Sequence, residues 1–273
     1  MPKERVLITV KTYPTLSRRY GETVCTAGIR PDGSWVRIYP VPFRRLEESE
    51  QYSKYDWIEA DLIKSQSDPR PETRRPADIH QLVPVGHIDT KDKWRERRRL
   101  VMEKAKVHTR LGELIAGAKA NQVSLAVFKP RAIKDLIIEE DDREWDGKKL
   151  DQMRNLTAQT ELFPEEEWRK TFEVIPKLPY SFSYRLMDAD GRESTLQILD
   201  WEIGALYWNC YHQHSGNETS ALEKVRAKYV DAFFQTDLHV FLGTTQQFHQ
   251  VAPNPWVIIG VFPIPHDLQR SLF

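Results

Sequence analysis

Gly33-Ser-Trp-Val-Arg-Ile-Tyr-Pro-Val-Pro-Phe-Arg-Arg45 is a stretch in which small apolar side chains alternate with aromatic and cationic ones. A run of β-type sequence at 23–30 precedes it, and the Asp32-Gly33 pair between them is typical of a tight turn, because glycine tolerates a positive φ. The alternation therefore predicts a hairpin whose second strand spans 35–41. Val36 and Ile38 would face a core on one side of that strand.

The opposite side of the predicted strand carries Trp35, Arg37 and Tyr39. Two large rings flanking a guanidinium are typical of a surface that stacks on flat ligands and neutralises anions, such as a nucleic-acid strand. We expect stacking on Trp35 and Tyr39, at about 1–3 kcal/mol per base, with Arg37 on phosphate. The alternative is that helices at 91–119 cover both rings and that Arg37 pairs with an acid.

Further basic and aromatic residues extend this predicted nucleic-acid-binding site. Some follow the strand directly, and the others lie in a polar loop after the first strand, where OB barrels carry loops that flank their binding face. The additional candidates are Lys11, Tyr13, Arg18, Arg19, Tyr20, Phe43, Arg44 and Arg45. Three more arginines, at 70, 74 and 75, lie in a proline-rich segment, 67–76, which is predicted to be a loop and ranks lower.

The charge distribution favours an anionic partner for the first part of the chain. The 273 residues hold 40 Lys and Arg against 40 Asp and Glu, so the total is neutral. Residues 1–110, however, hold 23 basic against 16 acidic side chains, and residues 111–273 hold 17 against 24. The basic part also contains the aromatic strand. The alternative is that both sets of charges are solvated surface.

Composition places the chain among globular proteins and favours a reducing cytoplasm. The residues are 40% hydrophobic and 29% charged, and the sequence contains no apolar run of about 18 residues that would predict a membrane span. Cys25 and Cys210 are the two cysteines and form no Cys-x-x-Cys pair, which argues against a zinc ribbon or a disulfide framework.

The pattern along the chain predicts an α+β protein that is mainly β. We expect a small OB-like barrel with a helical insertion in 1–128, with helices near 91–106 and 110–119. A charged, mostly acidic connector is expected at 129–170, with a short strand near its start. A second β-rich domain decorated with helices would occupy 171–273.

Several segments resemble the dual-OB domain proteins of prokaryotic conflict and defence systems. The resemblance rests on Cys25-Thr-Ala-Gly-Ile, Gly33-Ser-Trp-Val-Arg-Ile-Tyr-Pro, Phe182-Ser-Tyr-Arg, Phe241-Leu-Gly-Thr and the apolar strand at 256–262. It implies two OB-type barrels and a nucleic-acid-binding role in a defence or mobile-element setting. Helical segments at 91–119 and 202–234 depart from a plan of two plain barrels.

Enzyme chemistry is a competing interpretation with weaker support. Glu144, Asp146 and Lys148 have the residue types of a metal nuclease, but no apolar strand underlies them. His212 and His214 could ligate a metal, although no third ligand lies nearby. Asp200 and Glu202 begin a predicted helix, where acids favour the helix dipole and the cap. We found no Walker A, GxSxG, GxGxxG or HExxH pattern in the sequence.

The sequence thus predicts a nucleic-acid-binding protein without catalytic residues, cofactor or metal. A sensor or targeting component would suit the family setting, with a protein partner carrying the effector activity. Two alternatives stay open: a metal-dependent nuclease or other nucleotide-processing enzyme, and an interaction module that docks a basic partner through its acidic C-terminal half.

Overall fold

The computed structural model describes residues 3–17, 21–148, 150–151 and 174–266. These residues form an α+β protein that is mainly β. Its first eight strands are β1 (Glu4–Lys11), β2 (Thr15–Ser17), β3 (Gly21–Ile29), β4 (Trp35–Val41), β5 (Asp56–Ala60), β6 (Leu62–Lys64), β7 (Thr73–Pro76) and β8 (Val83–His87). Short 3-10 turns lie at Phe43–Arg45, Glu48–Glu50 and Ile79–Gln81.

These strands form a single curled sheet, the first sheet, which has the shape of a half-barrel. The strand order is β6-β7-β4-β3-β1-β5-β8, and β2 pairs with β3. The predicted hairpin is confirmed: β3 and β4 are antiparallel, with Ala27 opposite Arg37, and Gly33 in the turn adopts a φ of 91°. The apolar side chains of β4, Val36 and Ile38, are fully buried inside the curl.

The rest of the chain mixes helices with two smaller sheets. The elements are α1 (Lys91–Arg98, continued by a π-helical turn at Arg99–Lys104), β9 (Val107–His108), α2 (Leu111–Lys119), β10 (Leu125–Phe128), β11 (Ala132–Glu140), β12 (Tyr180–Met187), β13 (Glu193–Gln197), α3 (Trp201–Gln213), α4 (Glu218–Arg226, continued by a π-helical turn at Ala227–Ala232 and a 3-10 turn at Phe233–Gln235), β14 (Asp237–Thr244) and β15 (Trp256–Ile264). The second sheet has the order β15-β14-β10-β9 and the third sheet β11-β12-β13. One hydrophobic cluster joins both sheets to α2, α3 and α4.

A separate hydrophobic cluster joins the first sheet to the second sheet, and we call this contact the seam. Leu7 and Ala27 of the first sheet pack there with Val127, Phe241 and Phe262 of the second. All five side chains are fully buried. Burial of this kind contributes about 1.5–3 kcal/mol per large apolar side chain, so the seam holds the two parts of the chain together as a core does.

The strand pairing corrects three expectations about organisation. β9 and β10 lie inside the predicted first domain, but β10 pairs with β14, so both belong to the second sheet. β11 occupies 132–140 of the predicted connector, because Leu136 is apolar and packs in the core of the second part. β7 lies in the predicted loop 67–76 and pairs with β4; its proline is the last residue of the strand, where a missing N–H costs least.

The helices add one further observation. Within the part of the chain that the structure describes, none of them combines the length and the apolarity that crossing a bilayer requires.

Candidate nucleic-acid interface

The predicted binding face of β4 turns toward the seam. Trp35 is half-buried, and its ring meets that of Phe241 edge-on, with centroids 5.8 Å apart. The predicted alternative holds in part: the cluster that Trp35 packs against contains Phe241 of the second sheet together with Leu100 and Val101 of the π-helical turn that continues α1. The alternation along β4 is as predicted, but the side that carries Trp35, Arg37 and Tyr39 is a contact between two parts of the protein.

Arg37 cannot meet a phosphate on a free surface, because its side chain is 1% exposed. Its Nη1 donates to Ser124 Oγ at 2.6 Å and to Thr73 Oγ1 at 3.3 Å, and its Nη2 donates to the Ser124 carbonyl at 2.9 Å. The predicted phosphate contact is therefore wrong. No carboxylate among the described residues pairs directly with the guanidinium: the Glu72 carboxylate accepts from Ser124 Oγ at 2.5 Å and reaches the guanidinium only through that hydroxyl, while the Glu72 carbonyl accepts from the Arg37 backbone N–H at 3.0 Å.

A second arginine, Arg70, lies beside Arg37 and is 6% exposed. Its guanidinium donates to both carboxylate oxygens of Asp68, the shorter contact being 2.6 Å, and to the Thr244 carbonyl. Burial, and after it the charge of Arg70, lowers the pKa of Arg37. Arg70 ranked low among the predicted nucleic-acid-binding residues, because nothing in the proline-rich sequence around it indicates that this segment folds back against β4.

Phe43 and Lys11 form a packed cluster beneath the first sheet. Phe43 is 6% exposed and contacts the rings of Tyr52 and Trp201, at centroid distances of 5.0 and 5.7 Å. The Lys11 ammonium lies 4.1 Å from the Phe43 ring centroid and donates to the Tyr52 carbonyl. Burial, followed by the charge of Lys54, lowers the pKa of Lys11 to about 8. Phe43 was predicted to extend the binding surface, and it does not, because core residues cover its ring.

Tyr13 and Tyr39 are half-buried and line one cavity of about 360 Å³ between the first sheet and the other two. We call it the Tyr39 cavity. The Tyr13 hydroxyl donates to the Pro176 carbonyl at 2.8 Å and accepts from Trp208 Nε1 at 2.9 Å. Burial raises the pKa of Tyr13 to about 12. These two predicted residues therefore meet at a hollow, together with Arg37.

The two arginines that follow Phe43 do not line the Tyr39 cavity. Arg44 and Arg45 are exposed, and Arg44 forms an ion pair of 2.9 Å with Glu22. The Arg18, Arg19 and Tyr20 predictions lie outside the described residues. Of the predicted loop residues that the structure describes, Tyr13 lines the cavity.

Trp35 lines a second hollow of about 320 Å³, the Trp35 groove, on the edge of the seam. Its other lining residues include Glu72, Arg74, Lys106, His108 and Gln122. Lys106 and Gln122 are exposed, so the groove opens to solvent. Among the described residues, neither Arg74 nor Lys106 has a carboxylate within 4 Å, since Glu72 is occupied by the backbone and hydroxyl of Ser124.

His108 contributes an unsatisfied polar atom to this groove. Its Nδ1 is buried and has no hydrogen-bond partner among the described residues. Burial, and then the nearby Lys106 charge, lowers the pKa of His108, so the ring is neutral at pH 7. A buried polar atom without a partner costs about 1–3 kcal/mol, which a bound ligand would relieve. The sequence missed Lys106, His108 and Gln122, because β9 and the loop after α2 reach Trp35 only in the folded chain.

The residues considered as metal ligands or catalytic groups make contacts that stabilise turns and helix ends. Among the described residues, no group of three or more His, Cys, Asp or Glu side chains could hold a metal ion. Asp146 is exposed and accepts from the Lys148 backbone N–H at 2.9 Å. Asp200 caps α3 as predicted, and Nδ1 of His214 bonds the Cys210 carbonyl at the end of that helix.

Two family models match the chain, and they divide it just before β9. The first, a domain of unknown function, DUF8758, matches residues 2–103. The second, a domain of unknown function, DUF8757, matches residues 106–273 and so spans more than half of the chain. No curated protein matches it. The chain therefore belongs to the DUF8757 family and carries a DUF8758 domain ahead of it.

Proposed function

We propose that this chain binds single-stranded nucleic acid through the Trp35 groove. One observation carries the proposal: a half-buried indole shares an open groove with two cations that have no carboxylate within 4 Å among the described residues, Arg74 and Lys106. A ring for stacking and cations for phosphates are the two elements that single-strand binding requires. His108 and Gln122 add polar atoms that can bond a base or a sugar.

The position of the groove also supports the proposal. β7 carries Arg74 and pairs with β4 at Arg37 and Ile38, two and three residues beyond Trp35. Lys64 of the edge strand β6 lies opposite Arg74 and is exposed, so a further cation lies at this edge of the sheet. A strand bound at Trp35 could run along this basic edge.

Fluorescence anisotropy with labelled oligodeoxythymidylate and oligouridylate, and with a duplex of equal length, tests the proposal. Removing both cations, in the Arg74→Ala/Lys106→Ala variant, should weaken binding of the single strands at least tenfold. It should also flatten the salt dependence, by about 0.7 in the slope of log K against log salt for each lost contact. Trp35→Leu keeps an apolar contact with Phe241 and should cost about 1–3 kcal/mol of binding.

The matched control is Lys224→Ala/Arg226→Ala, which removes two exposed cations from α4, in the acidic part of the chain. It should leave affinity and salt slope as in the unmodified protein. Equal losses of affinity in both double variants would show that binding arises from nonspecific electrostatic attraction and not from the groove. Absence of measurable binding to every probe would overturn the proposal.

We further propose that the protein acts in the cytoplasm. Cys25 and Cys210 are both free thiols, which suits a reducing compartment. A defence or mobile-element setting, with a partner that carries the effector activity, is part of the same proposal and rests on the resemblance to the dual-OB proteins. Recovery of a nuclease or other effector bound to the tagged protein, lost when the acidic residues of α4 are neutralised, would support it; a monomer that recovers no partner would count against it.

A further inference from the structure

The Tyr39 cavity lies on the other side of Arg37 from the Trp35 groove and has different chemistry. It has a volume of about 360 Å³, within the range of about 300–1,000 Å³ that is usual for small-ligand sites. Residues of both family domains line it, and most of its wall is carbon. A partly open hollow of this kind suits a small molecule or one unit of a polymer.

Aromatic side chains supply much of the wall. Tyr13, Tyr39, Trp145 and Tyr180 are all half-buried and all line the cavity. The polar atoms of three of them are engaged by the protein: Tyr13 as described, Trp145 Nε1 with the Ile175 carbonyl at 2.8 Å, and the Tyr180 hydroxyl with Glu218 at 2.7 Å. These three residues therefore offer a ligand mainly ring carbon, which favours a flat ligand.

The polar groups that remain available are hydroxyls. Thr245 Oγ1 is buried without a partner. Thr12 Oγ1 accepts from the Cys25 N–H at 3.0 Å and Tyr39 accepts from Thr23 Oγ1 at 3.4 Å, but among the described residues neither hydroxyl donates to an acceptor. The cavity thus offers three O–H groups, beside a buried Arg37 whose own acceptors are neutral oxygens.

The carboxylates that line the cavity are already paired. Lys54 lies 2.7 Å from Asp200, and Lys177 lies 2.9 Å from Asp141. The lining carboxylates are therefore neutralised, and a ligand that meets the free hydroxyl donors must bring hydrogen-bond acceptors on one edge of a flat ring system.

From these features we infer that the Tyr39 cavity binds a nucleobase. The rings would stack on or flank the base, and its ring nitrogen or carbonyl acceptors would receive hydrogen bonds from Thr12, Tyr39 and Thr245. A free nucleoside and a base splayed out of a single strand share this chemistry. The cavity is separate from the Trp35 groove, so the inference does not rest on the proposed function.

The experiment measures two quantities with adenosine, guanosine, cytidine, uridine and thymidine at millimolar concentration. Titration calorimetry gives the affinity, and peptide mapping after alkylation gives the modification rate of Cys25, which lines the cavity and is half-buried. Binding of at least one nucleoside with slower alkylation of Cys25 is expected. Protection by an oligonucleotide alone would assign the base to a strand, which also supports the inference.

Two conservative variants test the contacts. Thr245→Val and Tyr39→Phe each remove one hydroxyl and should weaken nucleoside binding about tenfold, equivalent to ~1.4 kcal/mol. Because the Thr245 hydroxyl has no partner in the free protein, Thr245→Val should leave the unfolding midpoint unchanged or raise it, whereas a structural hydroxyl would lower it. Thr195→Val, at an exposed position of β13, is the matched control.

Two outcomes overturn the inference. One is that no nucleoside and no oligonucleotide binds with protection of Cys25. The other is that binding occurs but both variants bind as tightly as the control. The oligonucleotide affinity of Arg74→Ala/Lys106→Ala, measured separately, reports on the Trp35 groove, so failure of one site is distinguishable from failure of the other.

Discussion

Arg37 and Ser124 join the two parts of the chain through one guanidinium. Nη1 donates to the Ser124 hydroxyl oxygen at 2.6 Å and Nη2 to the Ser124 carbonyl at 2.9 Å, while that hydroxyl donates to Glu72 at 2.5 Å. The contact links β4 of the first sheet to the residue that precedes β10 of the second. Because the cavity and the groove lie on either side of Arg37, the same contact sets the position of both candidate sites.

Replacing Arg37 by leucine should lower the free energy of unfolding by about 3 kcal/mol. The substitution removes the two hydrogen bonds from the guanidinium to Ser124 and the one to Thr73, and a buried hydrogen bond to a charged group contributes about 1.5–3 kcal/mol. Urea unfolding measures the change. In a cycle with Ser124→Ala, the two substitutions should couple by about 0.5–3 kcal/mol, because the residues are in contact.

Arg131→Leu is the control for this experiment, since Arg131 is exposed. Arg131→Leu should change the free energy of unfolding by no more than about 0.5 kcal/mol. A loss at Arg37 no larger than that at Arg131, or additivity in the cycle, would show that the guanidinium does not hold the seam.

Asp200→Asn should destabilise the fold by about 3–5 kcal/mol, the usual cost of breaking a buried ion pair. Lys54 lies 2.7 Å from Asp200, and their side chains are 7% and 0% exposed. The amide oxygen can still cap α3, so the loss reflects the buried Lys54 charge, which keeps only the partly exposed Glu202, at 3.4 Å, as an acidic partner among the described residues. Thermal or urea unfolding measures it, and Lys54→Met in the Asp200→Asn background should recover part of the loss.

An exposed ion pair serves as the comparison. Lys134 and Glu193 pair on the surface with side chains 40% and 51% exposed. Glu193→Gln should change the unfolding free energy by no more than about 1 kcal/mol. Equal effects at Asp200 and Glu193 would contradict the role of burial.

Gly33→Ala should lower the unfolding free energy by more than about 1 kcal/mol. Gly33 adopts a φ of 91°, and an added Cβ would overlap the Lys104 carbonyl. Alanine at this φ is strained. Gly112→Ala is the matched substitution, because Gly112 lies in α2 with open space around it; helix propensity predicts a gain of up to about 1 kcal/mol there. The two substitutions should change the unfolding free energy, measured with urea, in opposite directions. A change in the same direction would contradict the geometry of the turn.

The burial of Lys11 should make stability depend on pH in the alkaline range. Its pKa falls from 10.5 unfolded to about 8 folded, so between these values the unfolded state binds more protons and stability rises with pH. Against Lys11→Met, the unmodified protein should gain on the order of 1–3 kcal/mol between pH 8 and pH 10.5. Urea midpoints across this range measure the difference. Parallel curves for the two proteins would show that Lys11 titrates normally.

Much of the fold follows from local pattern. The strand at 35–41, the turn at Asp32-Gly33 and the apolar strand near the C-terminus lie where alternation and turn chemistry predict them. The strand predicted at 135–138 is part of β11, which is longer than predicted because its exposed charged residues conceal the apolar positions that pack against the core. β7 was missed because its pairing partner, β4, lies more than thirty residues earlier in the chain.

The candidate site depended much more on distant contacts. Trp35 was predicted as a contact residue and lines a groove, but His108 and Lys106 come from a segment predicted as the end of a helix. Arg37 and Phe43 have the residue types of a binding surface and are buried. Residue type alone does not distinguish a ring that meets a ligand from a ring that meets the protein's own core.

The alternation of β4 follows from its own residues, because side chains along a strand point to opposite faces with a period of two. Val36 and Ile38 therefore had to lie on one side, and Trp35, Arg37 and Tyr39 on the other. What covers that second side is decided by Ser124, Phe241 and Thr244, which arrive from far along the chain. The packing of one sheet on another depends on contacts between residues that are far apart in the sequence. Only the tertiary structure therefore shows that this face of β4, expected to be exposed, lies in the seam, with a hollow on each side of Arg37.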